Sequence, residues 1–284
     1  MKPKYLLSIV AISVCCHSDY QGELDNHEAL ESLATHCDTE QIDLNRVNTP
    51  EDIQPTAKLL DMQKIKLTSS ITRISQNAEE DEPYYTEVLG HTYRAVPDVF
   101  SPKYFRSTGV LTKALPLIEN ERFLEIGTGI GVTAITAARD YLNSVVAVDL
   151  NPSAVKVTRE NAAMHGVTVD VRESDVFSAM TDERFDTIYW DLPYVYAEGD
   201  ECSKVLFRAV CDPEYRSINV FLKEVRNHLN DNGRIFIGFG TNGDEGRFDQ
   251  LLEKYSFKKT LIHQEHFDIR GGMDYYLYQL VDNH

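Results

Sequence analysis

From residue 107 to the C-terminus, short apolar runs alternate with longer stretches in which apolar residues recur every three or four positions. These are the signatures of buried strands and amphipathic helices in turn. Apolar runs at 122–126, 145–150, 167–173, 185–191 and 233–240 predict five strands. Helices are predicted over 131–142 and 152–165. Two more are expected where Ile218, Phe221, Leu222, Val225 and Leu229, and then Phe248, Leu251, Leu252 and Tyr255, share a face. Two final strands, near 257–267 and 274–281, have no helix between them. Strands and helices alternating over short connections predict an α/β fold whose mostly parallel sheet is covered on both faces, and the last pair predicts an antiparallel edge strand.

Upstream the rhythm differs. Residues 1–78 carry few glycines and read as helical. Asp25 or Asn26 can cap a helix with apolar positions Ala29, Leu30, Leu33, Ala34 and Cys37. Beyond the break at Asn48-Thr49-Pro50, a second amphipathic stretch runs through Leu59, Leu60, Met62, Ile65 and Leu67. An acidic connector occupies 79–82, and 83–101 alternates aromatic and β-branched residues about Gly90-His91, which predicts a hairpin.

Composition narrows the chemistry. Forty-five acidic against 28 basic residues give a formal charge of −17 over 284 residues. No Lys/Arg block exists of the kind that releases counterions from phosphate, so nucleic acid is not an expected partner. A negative field suits a cationic cofactor, a basic protein or a small molecule. Five cysteines (Cys15, Cys16, Cys37, Cys202, Cys211), an odd number without Cys-x-x-Cys spacing, predict a reducing, cytoplasmic setting with neither a disulfide framework nor structural zinc. His263 and His266 flank Gln264-Glu265, but on a strand an offset of three puts the rings on opposite faces, so no metal site is expected. Lys2 and Lys4 precede an apolar stretch over 5–16 with the charge and length of a signal peptide. It lacks a small-x-small cleavage site and is too short to span a bilayer, so it is expected to be part of the fold, with no membrane partner.

Open α/β sheets bind ligands at the carboxyl ends of their strands. The first such turn, FLEIGTGIGVTAI (123–135), places Gly127, Gly129 and Gly131 between a strand and a helix, with Thr128 among them. Glycines there let the backbone turn tightly and approach a ligand. Alone, the motif fits a dinucleotide almost as well as S-adenosylmethionine. The following strand ends decide. Asp149, followed by Leu150, stands where an acid can accept both ribose hydroxyls. Asp175 can accept from an adenine amino group while the Val176 N–H donates to the ring. Glu125, inside the first strand, is a buried carboxylate that needs a donor, either the cationic amino-acid end of the cofactor or N–H groups of the turn. S-adenosylmethionine is therefore the expected cofactor.

At these residues the chain resembles the class I S-adenosylmethionine-dependent methyltransferases, and within them the protein-glutamine methyltransferases that modify peptide-chain release factors. NPSAVKVTRENAAMHGV (151–167), FDTIYWDLPYVY (185–196) and LNDNGRIFIGFGTNGDEGRFDQLLEKYSF (229–257) carry the likeness, which extends over roughly 83–284. The resemblance implies a Rossmann-like sheet. It also implies three parts: a helical substrate-selecting domain over 1–78, a connector and β-hairpin over 79–106, and a cofactor-binding methyltransferase domain over 107–284.

The reacting end is Asp191-Leu192-Pro193-Tyr194, in the place of the family's Asn-Pro-Pro-Tyr. In that family the Asn oxygen and a following backbone carbonyl accept the N–H bonds of a planar amide, and the Tyr ring packs against the substrate. The resemblance gives these roles to Asp191, the Leu192 carbonyl and Tyr194. Asp191 adds a full negative charge and can take up the proton shed by the nitrogen, which suits an amine or amidine better than an amide. Phe105, Ser107 and Thr108 fall where the family covers the cofactor, and Tyr189, Trp190 and Tyr196 read as packing. The expectation is a cytoplasmic N-methyltransferase acting on a small-molecule metabolite or a protein side chain. Release-factor glutamine methylation, a non-catalytic S-adenosylmethionine sensor and transfer to oxygen are the alternatives.

Overall fold

The computed structural model describes residues 57–142, 144–268 and 272–283, with side chains from Met62 onward. The stretch at 5–16, the helix expected through Ala29 to Cys37, and Cys15, Cys16 and Cys37 lie outside the described residues. The chain divides into Met1–Gln54 and Pro55–His284, so the first described helix belongs with the sheet that follows.

That helix, α1 (Ala57–Ala78), forms where the second amphipathic stretch predicts it, but it buries a different face. Leu67, Ser70, Ile74 and Asn77 point inward at helical spacing, whereas Met62 and Ile65 are exposed. Asn77 explains the choice of face. Its amide donates to the carbonyls of Pro97 and Val99, and its oxygen accepts from the Tyr84 hydroxyl. A polar knot rather than an apolar stripe thus ties α1 to the segment after the hairpin. The hairpin, β1 (Tyr84–Val88) and β2 (His91–Ala95), turns on Leu89-Gly90, both left-handed at φ 52° and 77°. This is the mirror-image two-residue turn that matches strand twist.

After α2 (Ser107–Ala114) the strand–helix alternation begins. It runs β3 (Arg122–Ile126), α3 (Val132–Asp140), β4 (Ser144–Asp149), α4 (Pro152–Met164), β5 (Asp170–Glu173) and β6 (Phe185–Asp191). Then come the short β7 (Val195–Ala197) and β8 (Cys211–Pro213), α5 (Arg216–Glu224), β9 (Leu229–Gly240) and α6 (Glu245–Lys254). The chain closes with β10 (Phe257–Phe267) and β11 (Met273–Asp282). Leu229, expected on the helix, opens β9 instead.

Seven strands form one sheet in the order β10-β11-β9-β6-β3-β4-β5. The edge strand β10 is antiparallel to its neighbour β11. The reversal falls on β11, one place in from the edge, because β11 also runs antiparallel to β9. Apolar layers cover both faces: Ile188, Trp190, Phe221 and Ile237 on one, Phe123, Tyr189, Phe236 and Leu277 on the other. Side chains of β6 alternate between these two layers, which is why the strand reads as a continuous apolar run. Among the described residues no helix is long and apolar enough to cross a membrane.

The β7–β8 pair was not foreseen, and neither was its staple: Cys202 and Cys211 are disulfide-bonded, with Cα atoms 6.2 Å apart. This corrects the expectation of unpaired cysteines. An odd total says nothing about which two cysteines a loop brings together.

Candidate active site

One cleft opens at the carboxyl ends of β3, β4, β5 and β6, and each predicted site residue except Gly131 lines it. Gly127, Gly129 and Gly131 are all left-handed, at φ 67°, 58° and 89°. Their tasks differ. A Cβ on Gly127 would stand 3.0 Å from the Trp190 indole nitrogen, so glycine lets the turn lie on that ring. On Gly131 it would stand 2.8 Å from Thr158 Cγ2, so this glycine seats α3 against α4 rather than facing a ligand.

Glu125 is buried, and its donors are internal. Oε2 accepts from Thr128 Oγ1 at 2.7 Å and from the Ala134 N–H at 2.9 Å, a free amide of the first turn of α3. Burial pushes its carboxyl up to about 8, against the pull of these hydrogen bonds. Thr128 therefore turns its hydroxyl inward to Glu125 while its backbone lines the cleft.

Asp149 accepts the Gly129 N–H on one oxygen and the Asn151 N–H on the other, each at 2.9 Å. Burial raises it to about 6. These bonds leave lone pairs on both oxygens for a diol. Next to it Leu150 is exposed on the cleft wall, and Asn151 caps α4 by accepting the Ser153 N–H, with Pro152 at the first helical position. Asp175 is exposed at the cleft mouth. Val176 is held left-handed at φ 49°, a strained conformation for a β-branched residue. Ser174 Oγ fixes it by donating to the Val176 carbonyl at 2.9 Å. Among the described residues the Val176 N–H has no acceptor.

At the end of β6 the Asp191 carboxylate meets Ser107 at the start of α2. Its Oδ1 is buried without a hydrogen-bond partner among the described residues. Burial pushes this carboxyl up to about 7. The Leu192 side chain is buried and its carbonyl already accepts the Tyr194 N–H at 2.9 Å, which leaves one lone pair. Tyr194 packs against Phe239 with ring centroids 5.4 Å apart.

Several residues that support this end escaped the sequence reading. The Tyr215 hydroxyl donates to the Tyr194 carbonyl at 2.6 Å and accepts the Asp244 N–H at 2.8 Å, pinning the turn to the loop after β9. Gly238 and Gly240 lie behind the Asp191 and Tyr194 side chains. A Cβ would stand 2.7 Å from Asp191 Oδ1 at the first and 2.8 Å from the Tyr194 hydroxyl at the second. Glycine inside a strand signals such close approach, so the signal was available. Ser69, Ser70 and Arg73 of α1, with Tyr275 of β11, complete the wall. Ser107, Thr108, Phe105, Tyr189 and Trp190 also line it, whereas Tyr196 does not, stacking instead under Arg247. His266 faces Asp274 and His263 faces Glu265, and among the described residues no group of His, Cys, Asp or Glu converges on a metal position.

The Methyltransferase small domain family model matches residues 90–269, and the chain belongs to that family. By fold and family it is a class I S-adenosylmethionine-dependent methyltransferase, and S-adenosylmethionine is its cofactor. It is similar to the release factor glutamine methyltransferase of Lactococcus lactis, 32% identical over 53% of this chain and 60% of that one. The release factor glutamine methyltransferase of Aquifex aeolicus is 28% identical over 62% of this chain and 66% of its own length. The chain thus spans less than two thirds of these relatives. A T. thermophilus 16S rRNA N2 G1207 methyltransferase, solved with AdoMet and guanosine, shares the fold at TM-score 0.53 and 19% identity, over 72% of this chain and 50% of that one.

The cleft fits the cofactor on its own chemistry. Gly127 and Gly129 offer bare backbone, Asp149 offers lone pairs at the rim, and the Val176 N–H lacks an acceptor.

Proposed function

We propose that the chain transfers a methyl group to a nitrogen of a small molecule, with Asp191 as the group that receives that nitrogen's N–H and its proton. The observation that carries this reading is the Asp191 carboxylate, which lines the cleft and whose Oδ1, beside Gly238, has no donor among the described residues. Leaving it so costs free energy that an incoming N–H offsets.

When bound, S-adenosylmethionine supplies an electrophilic methyl on a good leaving group. Gly127, Gly129, Asp149, Leu150, Asp175 and Val176 hold it, with Glu125 and Thr128 bracing the turn from behind and Gly131 seating the helix. Asp191 then does two things. It orients the nitrogen so that the lone pair points at the methyl group, and it takes up the departing proton. A carboxyl raised to about 7 is matched to that work near neutral pH. The free lone pair of the Leu192 carbonyl accepts a second N–H, and the Tyr194 ring packs on the acceptor. Orientation supplies most of the rate, since leaving group and nucleophile need only be aligned. Residues 1–78 select the substrate. The net charge disfavours nucleic acid, and relatives named for release factors support a cytoplasmic setting.

A second reading, protein-glutamine methylation, is supported by the names of those relatives. An assay of S-adenosylhomocysteine release separates the two. Turnover on small amines and amidines, and not on release factors bearing unmodified glutamine, is expected; the reverse selects the second reading. Asp149→Ala is expected to weaken S-adenosylmethionine binding by roughly tenfold or more in calorimetry, as the loss of charge-assisted hydrogen bonds implies. Binding with no turnover on either pool would make the chain a sensor and sink the transfer reading.

A further inference from the structure

Two cations line the cleft among the described residues, Arg73 on α1 and Arg208 ahead of β8. Arg208 is engaged: it donates to Ser217 Oγ at 2.8 Å and stands 3.8 Å from the fully buried Asp212 carboxylate. Arg73 makes no salt bridge among the described residues, although most arginines of this acidic chain do. It is half-buried, with its guanidinium 5.5 Å from the Phe105 ring centroid and beside the Tyr275 hydroxyl.

Its position relative to Asp191 gives it meaning. Asp191 and Arg73 line the same cleft as Tyr194 and Tyr275, yet the two charges form no ion pair with each other among the described residues. A carboxylate and a guanidinium therefore stand at separate points of one cleft that Tyr194 and Tyr275 also line. Its hydrogen bond to Tyr275 and its contact with the Phe105 ring leave guanidinium N–H groups free to meet a ligand, and the planar fork matches a carboxylate.

We infer that the acceptor is dipolar: its nitrogen meets Asp191, a carboxylate at its other end meets Arg73, and its spacer lies against the Tyr194 and Tyr275 rings. The inference rests on the small-molecule reading and names the class of that molecule. Arg73 is its specificity determinant, and takes no part in the transfer itself.

The test uses matched pairs, 4-aminobutanoate against butylamine and 4-guanidinobutanoate against butylguanidine. Each is titrated into the full chain saturated with S-adenosylhomocysteine and followed by ligand-observed NMR. The carboxylated member is expected to bind about tenfold tighter or more, as a charge-assisted bidentate pair implies. Arg73→Gln is expected to bring each pair within about twofold, and Arg73→Lys to keep part of the preference. Equal binding in the unaltered chain overturns the inference, as does a preference that survives Arg73→Gln. Weaker S-adenosylhomocysteine binding in Arg73→Gln overturns it too, by assigning the arginine to the cofactor's own carboxylate. Melting temperatures of both variants guard against misfolding. A persisting preference without methyl transfer would sink the transfer reading alone; transfer without a preference would sink this inference alone.

Discussion

Asp191 differs from the asparagine of the related signature by one heavy atom and by a proton equilibrium. Burial raises its carboxyl to about 7, so the folded chain holds that proton more tightly than the unfolded chain does. The associated stability is complete below the ordinary carboxylate range and is lost as pH rises through 7. The proposed transfer needs the opposite form, because only the carboxylate accepts a proton. The unaltered chain should therefore gain kcat/KM as pH rises through 7 and level off above it. Asp191→Asn should lose about 100-fold or more, the usual scale of general-base catalysis, and should do so without weakening S-adenosylmethionine binding. The same variant should be more stable than the parent at pH 8, on the order of 1 kcal/mol, and indistinguishable from it near pH 4. Kinetics and thermal melts at both pH values check this. A variant as active as the parent would remove Asp191 from the chemistry, and equal melts at pH 8 would mean the carboxylate is not desolvated.

At the scale of elements, β9 sets the geometry of the Asp191–Tyr194 turn from behind. Gly238 pairs with Asp191 across the parallel β6–β9 ladder, and Gly240 underlies Tyr194. Neither has a left-handed φ, so alanine is permitted by the backbone and forbidden by its neighbours. Gly240→Ala should push the Tyr194 ring into the cleft and lower turnover about tenfold or more, on the scale that small misplacements cost. Cofactor affinity should hold, since the glycine turn lies on β3. Loss of both together, with a lowered melting temperature, would mean a general packing fault instead. The elements themselves were readable to differing degrees. β3 and β6 begin and end where their apolar runs do, because both faces of each strand are buried. The face of α1 was misread because Asn77 and Ser70, not Met62 and Ile65, point inward. Buried polar knots leave no apolar periodicity. β7 and β8 were missed for another reason: three-residue strands carry too few positions to show a period of two. The glycine turn over 127–131 could be read because it rests on contiguous residues. Arg73 and Tyr275 reach the cleft, and Tyr215 the Tyr194 carbonyl, from distant elements, and only the folded topology brings them there.

The whole molecule adds a field to these local contacts. With a formal charge of −17, the chain attracts cations and repels polyanions over distances near the Debye length, about 10 Å at 0.1 M salt. S-adenosylmethionine carries a net positive charge at neutral pH through its sulfonium. S-adenosylhomocysteine, which lacks the sulfonium, is net neutral. The long-range field should therefore speed the approach of the first and ignore the second, favouring exchange of product for fresh cofactor. Short-range attraction by the cleft carboxylates Asp149 and Asp191 would be different in kind, since partly buried contacts are screened far less and would appear in the dissociation rate. Stopped-flow binding at low and high salt separates the two contributions. The association rate for S-adenosylmethionine should fall by roughly threefold or more as salt is raised from tens to hundreds of millimolar, while that for S-adenosylhomocysteine stays flat. Dissociation of both should change little. If the two association rates share one salt dependence, the charge of the molecule plays no part in cofactor capture and serves solubility alone. If salt acts instead on S-adenosylmethionine dissociation, the attraction resides in the cleft carboxylates rather than in the surface as a whole.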